Sequence, residues 1–141
     1  MDTDTAPDHA RLRAEHAVLS RKMAGVAALA QASAPLPPRP VLDRLRRLQR
    51  ALATHLAHED CEIYPQLVGG DDPAAAAIGM HLRCEYHYLT GDWNLYLLRW
   101  KPARIAADWP GFAAETAEMM ARLQARIERE DALLYPLAGR C

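Results

Sequence analysis

The stretch from residue 55 to residue 65 reads HLAHEDCEIYP, and its imidazole and carboxylate side chains are of the kinds that bind metals or move protons. His55 and Glu59 lie four residues apart, so a helix would place both on one face. Spacings of three and four residues predict that this buried face comprises Leu45, Leu48, Leu52, His55, Glu59 and Ile63. A buried imidazole and carboxylate are costly to desolvate unless something binds them, and a metal ion is the simplest partner for both. A hydrogen bond between the two side chains in the core is the alternative interpretation.

The size and charge of the chain limit the classes of function. A chain of 141 residues can form one domain with a sizeable core, and we expect a single domain spanning residues 1–141. Its net charge of −1 gives no electrostatic argument for nucleic acid or an anionic membrane, so we expect neither as a partner. The acidic, polar N-terminus differs from a signal peptide, and no long apolar run suggests a transmembrane helix. The three cysteines form no CxxC pair, and together these features predict a cytoplasmic protein with reduced thiols.

The composition and the turn signals predict an all-α protein. Alanine and leucine are abundant, whereas the β-branched residues that favour strands are scarce. Start signals for the first three helices are Pro7-Asp8, Pro40 and Asp72-Pro73, and the segment from Asp108 to Pro110 starts the fourth. Pro65 should kink the second helix or reshape its last turns. Four helices of roughly 25 residues joined by short turns predict an antiparallel up-down four-helix bundle.

Three of these helices add polar side chains to a predicted inner face. On the first helix this face comprises Leu12, His16, Leu19, Met23, Val26 and Ala30. On the third helix it comprises Met80, Cys84, His87, Gly91, Asn94 and Leu98. On the fourth helix it comprises Phe112, Thr116, Met119, Leu123, Arg126, Glu130, Leu133 and Leu137. His16, His87 and Glu130 therefore join the pair on the second helix as candidate metal ligands.

An internal repeat supports this grouping. Several positions 71 residues apart, including those of the candidate ligands, carry the same residue in both halves of the chain. The matching pairs are His16–His87, Leu52–Leu123, Glu59–Glu130, Asp60–Asp131, Tyr64–Tyr135 and Pro65–Pro136. Two helical hairpins related by pseudo-twofold symmetry would aim two histidines and two carboxylates at one point. His55 breaks the pattern, because Arg126 stands at the matching position.

These motifs resemble those of the bacterial hemerythrin-like proteins, also called the HHE cation-binding domain. The resemblance is carried by Glu15-His16, by HxxxED from His55 to Asp60 followed by Tyr64-Pro65, by His87, and by EDALLYP from Glu130 to Pro136. It covers roughly residues 9 to 138. The doubled (E/D)D-x-x-x-Y-P pattern with correctly spaced histidines makes the resemblance fairly specific.

The resemblance implies a four-helix bundle around a non-haem di-iron site. By this likeness His16 and His55 would be terminal ligands to one metal, His87 a ligand to the other, and Glu59 and Glu130 the bridges. The family implies one or two iron ions, although zinc or manganese also accept such ligands. It also implies a role in binding or sensing oxygen, in sensing nitric oxide or redox state, or in storing iron.

Arg126 stands where the family expects a histidine, and arginine has no lone pair for a metal. We expect its guanidinium to pair with Glu130 or Glu59 and to limit the site to at most one well-bound metal. A polar network tied by Arg126 is the alternative, and it predicts a metal-free regulatory or protein-interaction module. We identify no substrate pocket or proton donor in the sequence, so an enzyme is the less favoured class. The aromatic third helix is the predicted surface for a homodimer or a protein partner.

Overall fold

The computed structural model describes residues 9–138, and every regular element in this part of the chain is helical. The start signal at Pro7-Asp8 and Cys141 lie outside the described residues. The elements are α1 (His9–Ala30), α2 (Pro38–Glu62), α3 (Tyr64–Val68), α4 (Pro73–Arg99), α5 (Pro102–Ala107), α6 (Trp109–Arg129), a π-helical segment (Glu130–Leu134) and α7 (Tyr135–Ala138). The four long helices form the bundle that the sequence predicts, and the all-α fold class is confirmed.

Neighbouring long helices run antiparallel, with α1 packed between α2 and α6. Three ion pairs join α4 to α6 in opposite chain order: Arg129–Glu85, Arg122–Asp92 and Arg99–Glu115. The Trp93 indole of α4 donates a hydrogen bond to Gln49 of α2. The short turns between consecutive helices leave no alternative to this up-down order.

Local sequence explains where the helices begin and end. Asp72 caps α4, since its carboxylate accepts hydrogen bonds from the backbone N–H groups of Ala74 and Ala75 at 3.0 and 3.3 Å. Asp108 caps α6 in the same way through Gly111. Proline in the first turn of each suits a position that needs no donor. Pro65 has the predicted effect on the second helix, because α2 ends at Glu62 and α3 begins at Tyr64.

Two apolar clusters fill the interior, and a polar layer lies between them. The larger cluster contains Leu19, Leu52 and Leu123 on one side of that layer. The smaller contains Leu12 and Ile63, with Tyr64, Leu134 and Tyr135, on the other side. The predicted inner faces of α1 and α2 are buried along their whole length. The chain therefore holds its polar layer from both sides with packed hydrophobic side chains.

The inner face of α6 follows the prediction as far as Glu130 and then shifts by one residue. Leu133 is exposed and Leu137 only partly buried, whereas Leu134 and Ala138 are buried instead. The cause is the π-helical segment, in which Tyr135 N–H donates to the Glu130 carbonyl five residues earlier. A π-helical hydrogen bond spans one more residue than an α-helical one. The buried positions after Glu130 therefore no longer follow the predicted period of 3.6 residues.

The predicted inner face of α4 is wrong. All six of its residues, His87 among them, are exposed. The buried face carries Leu82, Tyr86, Trp93 and Tyr96 instead, each one or two positions before a predicted residue. Burying these aromatic rings removes far more apolar surface from water than burying Cys84, Gly91 and Asn94 would. The aromatic face of α4 therefore packs against the core, and His87 is exposed to solvent.

Candidate metal centre

Four buried side chains in the polar layer converge on one point: His16 from α1, His55 and Glu59 from α2, and Glu130 from the π-helical segment. One ligand atom from each lies within 4.8 Å of all the others. The Nε2 atoms of His16 and His55 are 2.9 Å apart. Glu130 Oε1 lies 2.8 Å from His16 Nε2, and Glu59 Oε2 lies 3.1 Å from His55 Nε2. Two atoms that each bind one metal ion at about 2.1 Å lie roughly 3.0–3.4 Å apart, so these spacings suit a single ion.

Two further carboxylates orient the imidazole rings. His55 Nδ1 donates to Glu15 Oε1 at 2.7 Å, and His16 Nδ1 donates to Asp131 Oδ1 at 2.9 Å. With each Nδ1 engaged in this way, each Nε2 faces the centre. Glu15 also accepts a hydrogen bond from the half-buried His58 at 2.7 Å. A carboxylate behind a histidine fixes the tautomer and orientation that a metal ligand requires.

The charges of the group depend on burial and on these contacts. Burial lowers the pKa of His55, but hydrogen bonds with Glu130 and Glu59 outweigh it and raise the pKa to about 10. Burial raises the pKa of Glu59 to about 7. Burial opposes ionisation of Glu130 too, yet hydrogen bonds with His16 and His55 and the charge of Arg126 hold its pKa well below the usual range. Without a metal, His55 therefore carries a proton that a metal ion must displace.

Arg126 lies beside this group, as the sequence predicts. Its Nε donates to Glu130 Oε2 at 3.2 Å, and its Nη2 donates to Tyr64 Oη at 2.6 Å. The guanidinium lies over the ring of Tyr86, 5.4 Å from the ring centroid. Glu130 thus faces the histidines with one oxygen and a cation with the other. The predicted pairing with Glu130 is confirmed.

The donor set fits a divalent or trivalent metal ion of the first transition row. Imidazole nitrogen and carboxylate oxygen suit iron, zinc and manganese. Within residues 9–138, Glu59 Oε1 is buried with no hydrogen-bond partner. A buried carboxylate oxygen with no hydrogen-bond partner is costly unless a cation compensates it.

The family model described as hemerythrin HHE cation-binding domain matches residues 8–138. The chain belongs to the hemerythrin HHE domain family. Comparisons with curated proteins and with solved structures find no match. In the part of this hemerythrin HHE domain that the structure describes, no helix combines the length and apolar character needed to cross a bilayer.

The structure brings together four of the five predicted ligands of this HHE domain. His87 is the exception, because α4 turns it outward. Cys84 shares that exposed face, so it is neither a ligand nor a buried core residue. His81 is exposed beside Glu85, as expected. His58 lies at the rim and reaches the group only through Glu15.

Sequence reasoning missed four residues that shape the site: Glu15, Asp131, Tyr135 and Tyr86. Glu15 and Asp131 are sequence neighbours of His16 and Glu130, and for Asp131 the repeated Glu-Asp pair was the available signal. Their partners lie on other helices, so only the packing shows what they contact. Tyr86 takes the place expected for His87, and its large ring was the signal for an inward position.

Proposed function

We propose that this hemerythrin HHE domain binds one non-haem metal ion, iron by preference, through His16, His55, Glu59 and Glu130. One observation carries the proposal: two imidazole Nε2 atoms and two carboxylate oxygens point at one place, while outer carboxylates hold both Nδ1 atoms. An ordinary polar core would pair each donor with an acceptor. Here the outer carboxylates engage both Nδ1 atoms, so the two Nε2 atoms and the carboxylate oxygens converge around the proton on His55, and a metal ion that displaced this proton would bind all four residues.

The number of metal ions follows from Arg126. Its guanidinium contacts Glu130 Oε2, the oxygen that would bridge to a second metal in the family pattern. His87, the expected ligand to that metal, is in solvent. We therefore propose that the chain supplies the second positive charge itself and that the site takes one metal ion. A buried guanidinium and a second metal ion cannot share one carboxylate oxygen without strong repulsion.

The proposed role is binding or sensing of oxygen or nitric oxide, or a response to redox state, in the cytoplasm. Bound iron would supply the one-electron chemistry and the affinity for a diatomic molecule. A cavity of about 20 Å³ lined mainly by apolar side chains reaches His55, Arg126 and Glu130. This volume suffices for one water or one diatomic molecule. A second cleft of about 450 Å³ borders His55 and Glu15 from α1 and α2. Storage of many ions finds no support in a single buried group.

The test is the metal content of protein purified without chelator and reconstituted anaerobically with ferrous iron. We expect about one iron per chain in the wild type. His55→Ala should lose the metal, whereas His81→Ala, which removes an exposed histidine outside the group, should keep it. Wild-type protein that takes up neither iron, zinc nor manganese would exclude the proposal.

A metal-free regulatory module is the second candidate, and one observation favours it. Most buried polar atoms of the layer have protein partners, since Arg126 bonds Glu130 and Tyr135 donates to Glu59 at 2.8 Å. The aromatic partner surface predicted on α4 is wrong, because the rings of Tyr86, Trp93 and Tyr96 are buried in the bundle. In a metal-free module the face of α4 that is left exposed, with Met80, Tyr88 and Leu98, would meet a second copy or another protein. A melting temperature that responds to neither iron, zinc nor chelator would favour this module.

A further inference from the structure

The hydroxyl group of Tyr135 lies among the proposed ligand atoms. Its oxygen is 2.9 Å from His16 Nε2 and donates to Glu59 Oε2 at 2.8 Å. The ring is buried and stacks on the imidazole of His16 at 5.1 Å between centroids and 21° between planes. These distances are as short as those between the four proposed ligands themselves. Tyr135 Oη is therefore a further side-chain oxygen within hydrogen-bond distance of the proposed ligand atoms of His16 and Glu59.

The π-helical segment from Glu130 to Leu134 places the Tyr135 hydroxyl beside the proposed ligands. On a regular α-helix Tyr135 would be turned about 140° away from Glu130, five residues earlier. The π-helical segment instead closes a hydrogen bond from Tyr135 N–H to the Glu130 carbonyl, which sets the two residues one above the other. Single π-helical turns within α-helices are frequent at functional sites. Here the turn places a carboxylate and a phenol at the same point.

The repeat partner of Tyr135 already binds a cation. Tyr64, 71 residues earlier, accepts a hydrogen bond from Arg126 Nη2 at 2.6 Å. Its oxygen therefore faces the guanidinium that takes the place of a second metal. By the same pseudosymmetry, Tyr135 Oη faces the cation position between His16 and Glu59. Each tyrosine thus lies against one of two cation positions, with Glu130 between them.

We propose that Tyr135 is itself a metal ligand, through its phenolate oxygen, at the site formed by His16, His55, Glu59 and Glu130. The proposal rests on the proposed metal-binding function. On binding, the phenol O–H bond breaks, a bond between Oη and the metal ion forms, and the proton passes to solvent. No electron is transferred when the ion is supplied as Fe³⁺. A hard anionic oxygen ligand favours ferric over ferrous iron, and a metal ion readily deprotonates a group that it coordinates.

The test is the visible absorption of protein loaded with Fe³⁺ as its nitrilotriacetate complex, measured together with iron content. Phenolate bound to ferric iron gives an intense charge-transfer band in the visible, which imidazole and carboxylate do not give. We expect this band in the wild type. Tyr135→Phe keeps the buried ring and should bind iron without the band. Tyr64→Phe, the matched control on the other side of Glu130, should keep the band.

The outcomes separate the two proposals. Wild-type protein that takes up no iron would overturn this inference, and if it takes up neither zinc nor manganese either, the proposed function falls with it. Iron uptake without the band, or a band that survives in Tyr135→Phe, would overturn the inference and leave the proposed function standing. If Tyr135→Phe does not fold, resonance Raman spectra of the wild type excited within the band decide instead. Tyrosinate ring vibrations would support ligation, and their absence would refute it.

Discussion

Arg126→His is the substitution that most directly probes the single-metal site. The side chain of Arg126 is 9% exposed and bonds Glu130 and Tyr64. Removing one partner from a buried ion pair costs about 3–5 kcal/mol, because the remaining charge stays buried. At about 3 °C per kcal/mol for a chain of this size, the metal-free variant should melt roughly 10–15 °C below the wild type.

The same substitution should raise the metal content. It frees Glu130 Oε2 from the guanidinium and adds an imidazole at position 126, in the same polar layer as Glu59, whose Oε1 has no hydrogen-bond partner within residues 9–138. These groups and the Tyr64 hydroxyl form a second ligand set, so iron per chain should rise from one towards two. Metal should then restore part of the lost stability, because it binds only the folded state.

The assay is metal analysis and calorimetry of wild type and variant, reconstituted in parallel with ferrous iron under anaerobic conditions. Arg126→Lys is the matched control, since it keeps the cation but adds no imidazole, and it should stay at one iron. A wild type that already holds two irons would refute the argument that the guanidinium occupies the second position. A folded Arg126→His variant that still holds one iron would show that the missing imidazole was not limiting.

Three further predictions concern the surroundings of the site. Glu15→Gln replaces the charged acceptor of the His55 Nδ1 hydrogen bond by a neutral one and should lower metal affinity by roughly 10- to 100-fold. Competition with a chelator measures the affinity, and a variant with wild-type affinity would refute the orienting role of Glu15. His87→Ala should leave metal content and melting temperature unchanged, and loss of metal would restore this residue as a ligand. The metal-free protein should lose stability, on the order of a few kcal/mol, as pH rises from 6.5 to about 10. The pKa of His55 is raised on folding, so its contribution is complete below 6.5 and is lost as the pH passes the folded value. Urea unfolding at several pH values in chelator measures this slope, and a flat profile would contradict it.

The sequence predicts most of the fold because three of the four long helices have one apolar face. On α1, α2 and most of α6, spacings of three and four residues select that face without ambiguity, and the structure buries it. The fourth long helix, α4, has apolar side chains on both faces, with Met80 and Leu98 outside and Trp93 and Tyr96 inside. Periodicity alone could not choose between them. The face with the larger aromatic rings is the one that is buried, and His87 therefore lies on the exposed face.

The candidate site was predictable where its residues follow a regular helix, and less so elsewhere. His16, His55, Glu59 and Glu130 keep helical spacing with leucines that pack in the core, so their convergence follows from the pattern. Tyr135 departs from that spacing because of the π-helical segment, which no period of 3.6 predicts. Glu15 and Asp131 contact histidines that lie far away in the sequence, and only the packing of α1 against its neighbours brings them together.

The two halves of the bundle share one plan but differ in the source of the positive charge. In both halves a carboxylate and a tyrosine five residues apart face the polar layer: Glu59 with Tyr64, and Glu130 with Tyr135. Each tyrosine hydroxyl reaches across to the other half, Tyr64 to Arg126 and Tyr135 to Glu59. The position beside Tyr64 is filled by a guanidinium that the chain carries permanently. The position beside Tyr135 has two imidazoles and two carboxylates. The positive charges near it are a proton on His55, the guanidinium of Arg126 on Glu130, and the guanidinium of the exposed Arg13, which lies over the Tyr135 ring and pairs with Asp131. Arg126 compensates Glu130, but within residues 9–138 Glu59 Oε1 has no hydrogen-bond partner, so the proposed metal ion would account for the second buried carboxylate as well.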